Sequence, residues 1–362
     1  MTRFDFHIIR RLLAGFVTLV AVLIVFFIVL HYVEYIDDFF DRGATMRQVF
    51  LLYYPSYIPE IVKLTSPLAL FLACVYLTSK LAQTLQLNAL QTSGVSLYRL
   101  LLPYLIVAIT LTGFMFWFNG WIVPKTNRAV LEFEQQYLKD ASQVVEVSDI
   151  HRQNQPGSFL TVGYYDRRSR VAHRISLQNF NEEHRLLERI DAPNMTWIDS
   201  LSVWRIEQPI VRDFRSANGI ERRSNVVRID TTLRILPRDL ARTERDVESM
   251  TIPAAAEYIE DLERSGAGSI GRTKVGYYGK FAYPIANLIL ALIAMPLSAV
   301  RRRGGQAVQM GLGLVVAFAY LAIIKLTEPF GYTGELPPVI ATWMPHVLFF
   351  AVALVMLFKA RK

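Results

Sequence analysis

The chain has 362 residues, 52% hydrophobic and only 19% charged, with a formal net charge of +8. Soluble domains carry about 25% charged residues, so an ordinary soluble enzyme is excluded and a membrane is indicated. The single cysteine, Cys74, excludes an internal disulfide and a cysteine-built metal cage.

Uncharged runs locate the spans, because about 20 apolar residues cross a hydrocarbon core of about 30 Å. The first run, Leu12 to Val33, has 22 residues without Asp, Glu, Lys or Arg. Arg3, Arg10 and Arg11 precede it, as in a signal peptide. It exceeds a signal-peptide core of about 7–15 residues and no A-x-A site closes it, so a retained anchor helix is predicted. The second run, Leu64 to Ser79, has 16 residues, with Lys63 and Lys80 able to snorkel from its ends. Pro67 is tolerable in a membrane helix.

The next segment, Leu81 to Tyr98, is charge-free yet too polar for a span: LAQTLQLNALQTSGVSLY. Leu85, Leu87 and Leu90 offer apolar contacts, and Ser93, Gly94 and Ser96 make a stop. Two readings stand: a surface helix at the lipid headgroups, or a coupling helix that docks into a groove on a cytoplasmic partner. The third run, Leu100 to Pro124, has 25 residues.

Residues 125–280 hold 24 basic and 23 acidic side chains and read as a polar domain. Val227, Ile229, Thr231, Leu233 and Ile235 alternate with polar neighbours, the period of a strand with one buried face. Ser158–Tyr165, Trp197–Ile198 and Val203–Ile206 read as further strands, with Asp199–Ser200 and Asn218–Gly219 as turns. Short strands at close spacing predict an all-β, jelly-roll-like domain. Ala129–Lys139 is expected to continue the third helix outward, and Pro253–Arg264 is an amphipathic helix with Tyr258, Ile259 and Leu262 on one face and Gly266 as its C-cap.

Three more runs follow: Phe281–Val300, Gly304–Ile324 and Leu336–Phe358, of 20, 21 and 23 residues. The predicted fold is an α-helical membrane protein with six transmembrane helices and an extracytoplasmic β domain between helices three and four. Its parts are residues 1–124, 125–280 and 281–362. The termini and the loops after helices two and four carry eleven basic residues against Asp5 alone, or +10. The two short loops on the other face carry four basic and seven acidic residues, or −3. Positive loops stay inside, so both termini are expected in the cytoplasm. The surplus charge is thus topological, and no nucleic-acid partner is expected.

Chemistry-bearing motifs are few. Gly266 to Thr273 has the spacing of a phosphate-binding P-loop but offers Arg272 in place of the lysine, after a helix rather than a strand. The six histidines form no H-x-x-x-H pair, so no metal is expected. Glu182–Glu183 beside Arg185 reads as charged surface, and Asn194-Met195-Thr196 is an unsupported sequon. The helix interiors are almost free of ionisable groups, which argues against a proton- or ion-driven transporter.

The residues that remain carry a resemblance. Arg10–Arg11, Gln91-Thr-Ser-Gly94-Val-Ser96 and Trp121-Ile-Val-Pro124 recur in order with Tyr283–Pro284, Ala294-Met-Pro296-Leu-Ser298, Leu336-Pro337-Pro338 and Pro345. The chain resembles the lipopolysaccharide export permeases, the LptF/LptG family, over nearly its whole length. The stretch from Leu336 to Pro345 is nearer to the LptG branch. The resemblance implies a permease subunit of an ATP-binding-cassette exporter in the bacterial inner membrane. It would extract lipopolysaccharide from the outer leaflet and pass it to a periplasmic bridge protein. Its implied partners are a cytoplasmic ATPase dimer and a second homologous permease chain. No cofactor is expected on this chain, ATP and Mg residing on the ATPase. Helices one and five would form a lateral gate. Coupling falls to Gln86, Leu87, Asn88, Leu90, Gln91, Ser93 and Gly94.

Two positions depart from the family. Gln86 stands where relatives carry a Glu that engages the ATPase, which removes a charge-assisted bond. The stretch Glu34–Arg42 is acidic where relatives of the LptG branch place lysines. Headgroup contacts are therefore expected at Arg42, Arg47, Lys63, Lys125 and Arg128. The rival readings are a membrane-anchored periplasmic scaffold and a lipid-modifying integral-membrane enzyme.

Overall fold

The computed structural model describes all residues except 1–2, 138–149, 167–168, 216–220, 238–239, 241–243, 265–269, 301–304 and 361–362, and leaves out the side chains of residues 135 and 244–246. The chain divides into two compact units. One comprises Met1–Leu138, Val247–Pro253 and Gly271–Lys362, and the other Lys139–Asp246 and Ala254–Ile270.

The first unit is helical. Among the described residues, six helices are long and apolar enough to cross a membrane: Arg3–Asp41, Met46–Gln83, Leu97–Glu134, Gly271–Ser298, Gly305–Thr333 and Pro338–Lys359. Most run well past the uncharged stretches, because charged side chains at helix ends reach water or one another. The second is the extreme case: its uncharged run of 16 residues sits inside a helix of 38. A capping box starts it: the Gln48 amide donates to Thr45 Oγ1 at 3.3 Å, and the Thr45 amide donates to Gln48 Oε1 at 3.0 Å. Wider π-helical turns at Val49–Tyr53 and Phe118–Ile122 interrupt the second and third spans.

The fourth span is the centre of this unit, with 72% of its apolar window buried, against 67% for the second. Ile289, Leu290 and Ile293 meet Leu70 and Phe71 of the second span and Tyr104 of the third in one core. The first and fifth spans are the least enclosed, at 11% and 28%. Their outward faces carry Val22, Val25, Phe26 and Val29, and Val315, Phe318 and Leu326. A close approach ties the fourth span to the fifth: a Cβ on Gly271 would lie 2.4 Å from the carbonyl oxygen of Gly331. Only residues without side chains let membrane helices come so near.

Among the described residues, the second unit carries most of the helix Ile252–Arg264 and one antiparallel sheet of eight strands: β1 Ile150–Gln155, β2 Ser158–Asp166, β3 Val171–Phe180, β4 Leu186–Ile198, β5 Val203–Glu207, β6 Ile210–Asp213, β7 Arg222–Asn225 and β8 Arg228–Thr231. The main path is β1-β2-β3-β4-β5-β8, and it does not close. It forks at the long β4, whose outer half pairs β5 through Trp197–Trp204 while its inner half pairs β6 through Ile190–Val211. The predicted strands at Ser158–Tyr165, Trp197–Ile198 and Val203–Ile206 are present. Asn218–Gly219 and Gly266 lie outside the described residues.

One expectation is corrected here. The alternation from Val227 to Ile235 gives a strand of only four residues, Arg228–Thr231. Val227 is 86% exposed, while Ile235 joins the core and its carbonyl accepts the Trp204 indole N–H at 2.7 Å. Periodicity gave the right face near Ile235, but the chain turns before Val227 and leaves that side chain in water.

The sheet also bends along one transverse row. The pairing registers set Gly163 of β2, Arg174 of β3 and Pro193 of β4 side by side. Before this row the buried positions are Leu160 and Val162, Ile175 and Leu177, and Ile190 and Ala192; beyond it they are Tyr165, Ala172 and Met195. Each strand thus steps by three rather than two. Arg174 takes φ of 52°, Pro193 has no N–H to donate, and Gly163 leaves room for the Arg174 side chain.

Candidate functional site

Polar side chains gather at both ends of the helical unit. At one end, the segment after the second span forms a short helix, Gln86–Thr92. It opens on Leu85, whose φ of 59° turns the chain sharply, and it closes on Gly94 at φ 89°. The Gly94 and Val95 amides donate back to the carbonyls of Gln91 and Leu90, both at 3.0 Å. Ser96 then caps the third span by accepting the Arg99 amide at 3.2 Å. Leu87 is 3% exposed and enters the helical core, where Leu90 packs beside it. Leu85, Gln86, Asn88, Ser93 and Gly94 are exposed, and Gln91 is half-buried. This helix therefore has an apolar anchor and an uncharged polar outer face.

The same end is fastened by a two-pronged ion pair. Arg99 donates from both terminal nitrogens to Asp5, at 2.9 and 2.7 Å, and Asp5 is 2% exposed. This bond fixes the start of the first span against the start of the third, beside the short helix. Asp5, the lone acid of its loop set, is thus a structural partner rather than a stray charge.

At the opposite end, charged groups enter the helices themselves. Lys63 meets Glu60 at 2.5 Å on the second span, and the Glu60 carboxylate also accepts Asn127 Nδ2 of the third span at 3.1 Å. Lys280 of the fourth span is buried close by, within electrostatic reach of Glu60 and Lys63. Asn119, itself buried, donates to the Lys280 carbonyl at 3.2 Å. Nearby, Tyr53 donates to Glu134 at 2.9 Å and lies 3.2 Å from His31 Nε2, linking the first three spans through an aromatic cluster with Tyr35, Tyr54 and Tyr57.

The five basic side chains expected at a headgroup fall into different settings. Lys63 is held by Glu60, and Arg128 pairs Glu132 in the open at 3.3 Å. Arg47 and Lys125 are exposed, and Arg42 is half-buried in the turn after the first span. The Glu60–Asn127 bond connects the helix carrying Lys63 to the one carrying Lys125 and Arg128.

Ionisable groups nonetheless enter the ends of the spans, outside the uncharged runs. Glu60, Lys63, Glu134, Lys280, Lys325 and Glu328 all lie within the six helices. The uncharged runs are intact, but the helices outlast them. Lys280 immediately precedes the run at Phe281, so a charge count files it with the loop. Its aromatic flank, Tyr277-Tyr278-Gly279-Lys280-Phe281, was the signal available, since such residues mark a membrane interface.

Comparison with known proteins agrees with this arrangement. The profile described as lipopolysaccharide export system permease LptF/LptG matches residues 7–359. Two curated relatives, both named lipopolysaccharide export system permease protein LptG, come from Escherichia coli strains K12 and O6:H1. Each is 21% identical over 321 residues, which covers 83% of either chain. Six spans with a sheet inserted in the chain between the third and the fourth, matched by the family profile over almost all 362 residues, lead to one conclusion: the chain belongs to the LptF/LptG family of lipopolysaccharide export permeases, an inner-membrane transport component rather than an enzyme.

Proposed function

We propose that this chain is the transmembrane subunit of an ATP-driven exporter whose ATPase is a separate cytoplasmic dimer docked on the helix Gln86–Thr92. The observation that carries this reading is the construction of that helix: Leu87 is sunk into the core while Gln86 and Asn88 face outward. A polar helix held rigidly on an apolar anchor can transmit force to the spans on either side of it. Gln86 in place of an acid makes the docking contact one of neutral hydrogen bonds.

On this reading the termini and the short helix are cytoplasmic and the sheet unit is periplasmic. The first and fifth spans, with the least enclosed apolar faces, meet a second permease chain and form the gate through which lipopolysaccharide arrives from the outer leaflet. The chain itself binds no cofactor, ATP and Mg being held by the ATPase. Arg42, Arg47, Lys63, Lys125 and Arg128 receive the lipid phosphates, and the sheet hands the acyl chains to a periplasmic bridge protein.

Native mass spectrometry of the chain, gently extracted from its own membrane, tests this. An ATPase dimer, a second six-helix chain and lipopolysaccharide-sized adducts are expected. A lone chain or a homo-oligomer, with nothing cross-linked through Ser93→Cys, would sink the reading in favour of a scaffold.

A further inference from the structure

We propose that Lys280 is a reserve counter-ion: it neutralises Glu60 when Lys63 leaves that carboxylate to bind a phosphate of the transported lipid. The inference rests on the reading above that Lys63 meets the headgroup.

Lys280 is 5% exposed, and its ammonium makes no hydrogen bond or ion pair with any of the described residues. A buried cation without a partner is costly and is not retained for packing alone. The carboxylates in its electrostatic reach are Glu60 and Glu248, and the other ammonium is Lys63. Glu60 is held by Lys63 at 2.5 Å and by Asn127 at 3.1 Å.

The Lys63 side chain keeps 19% of its surface exposed and that of Glu60 28%, so the pair is open to an arriving anion on one side. Lys280 is buried, and its carbonyl accepts a hydrogen bond from the Asn119 side chain. Glu60 thus has two ammonium groups in its reach, Lys63 and Lys280, while the exposed Glu248 is the second carboxylate near Lys280. If Lys63 turned to the phosphate with no second cation present, Glu60 would be left half-buried and uncompensated. That loss exceeds what one charge-assisted hydrogen bond returns. Lys280 removes the loss and makes the exchange of partners nearly neutral. It is a positioning residue, acting through Glu60 on Lys63, and need not touch the lipid.

The test uses the assembled complex in nanodiscs, titrated with lipopolysaccharide and with the same lipid after enzymatic dephosphorylation. The readout is the ratio of the two affinities, which a purely structural defect would not move. Lys63→Gln should collapse the ratio towards one. Lys280→Gln should lower it about tenfold, or about 1.4 kcal/mol, by leaving Lys63 locked on Glu60. Glu60→Gln added to Lys280→Gln should restore the ratio, and Glu60→Gln alone should raise it. If Lys63→Gln leaves the ratio intact, the headgroup reading fails. If Lys63→Gln lowers it but Glu60→Gln neither raises it alone nor rescues Lys280→Gln, the reserve role of Lys280 fails. The single Glu60 variant decides the matter even if Lys280→Gln does not assemble.

Discussion

Arg205 of β5 reaches Asp230 of β8 with two nitrogens, at 3.0 and 3.1 Å. These hydrogen bonds hold the Asp230 carboxyl below the usual aspartate range, helped by the charges of Arg205 and Arg228. The sign of the linkage follows. An aspartate whose pKa drops on folding adds stability that is complete above the unfolded value of about 3.9 and is lost as pH falls through the lower folded one. Relative to its intrinsic rate at each pH, amide exchange in β5 and β8 should therefore lose protection below about pH 4, and this acid step should vanish in Asp230→Asn. The step will be small, since the pair faces water. An unchanged step in the variant would assign it to other carboxylates. Glu328 is a contrasting case within the helices. It is 6% exposed and accepts hydrogen bonds from Tyr283 of the fourth span, from Tyr332 at 3.1 Å and from Lys325 at 2.9 Å. With its donors converging on it, that acid serves as a bolt between two spans.

At the scale of elements, the short helix shows most clearly what each residue contributes. Leu85 is 48% exposed and holds a left-handed backbone, which costs a non-glycine residue about 1–2 kcal/mol. A strained, outward-pointing leucine at the mouth of a docking helix is where a partner contact would offset the strain. Leu85→Gly should raise the thermal stability of the isolated chain by about 1 kcal/mol and lower lipid-stimulated ATP turnover of the assembled complex. A stabilised variant with undiminished turnover would show that the Leu85 side chain plays no part in coupling. The sequence revealed this element by its lack of charge, but not its geometry. Nothing in LAQTLQLNALQTSGVSLY marks Leu85, rather than Gly94, as a second left-handed position. The same holds elsewhere. The spans were legible because charge is excluded from hydrocarbon, whereas the Glu60–Lys63–Lys280 group was not, because opposite charges that neutralise one another leave no periodic trace. In the sheet, short apolar and aromatic runs near turn residues located β2 and β5. The bend at Gly163, Arg174 and Pro193 was hidden, since it needs three strands in register before its residues become neighbours.

For the whole molecule the governing quantity is the asymmetry of charge across the bundle, +10 on one set of loops against −3 on the other. Lys and Arg flanking membrane spans are retained in the cytoplasm, and that bias sets the orientation of all six helices together. The short helix Gln86–Thr92 shares its end of the bundle with Asp5 and Arg99, and so belongs to the positive side. Glu335, between the fifth and sixth spans, belongs to the other. Cys74 is buried, so single cysteines introduced at exposed sites can be read against a quiet background. A membrane-impermeant maleimide applied to spheroplasts should label Glu335→Cys at once and Ser93→Cys only after the membrane is opened. The reverse pattern would put the short helix on the side without ATP. It would overturn the assignment of ATPase docking and the positive-inside argument in one stroke, because both depend on the same six helices pointing the same way.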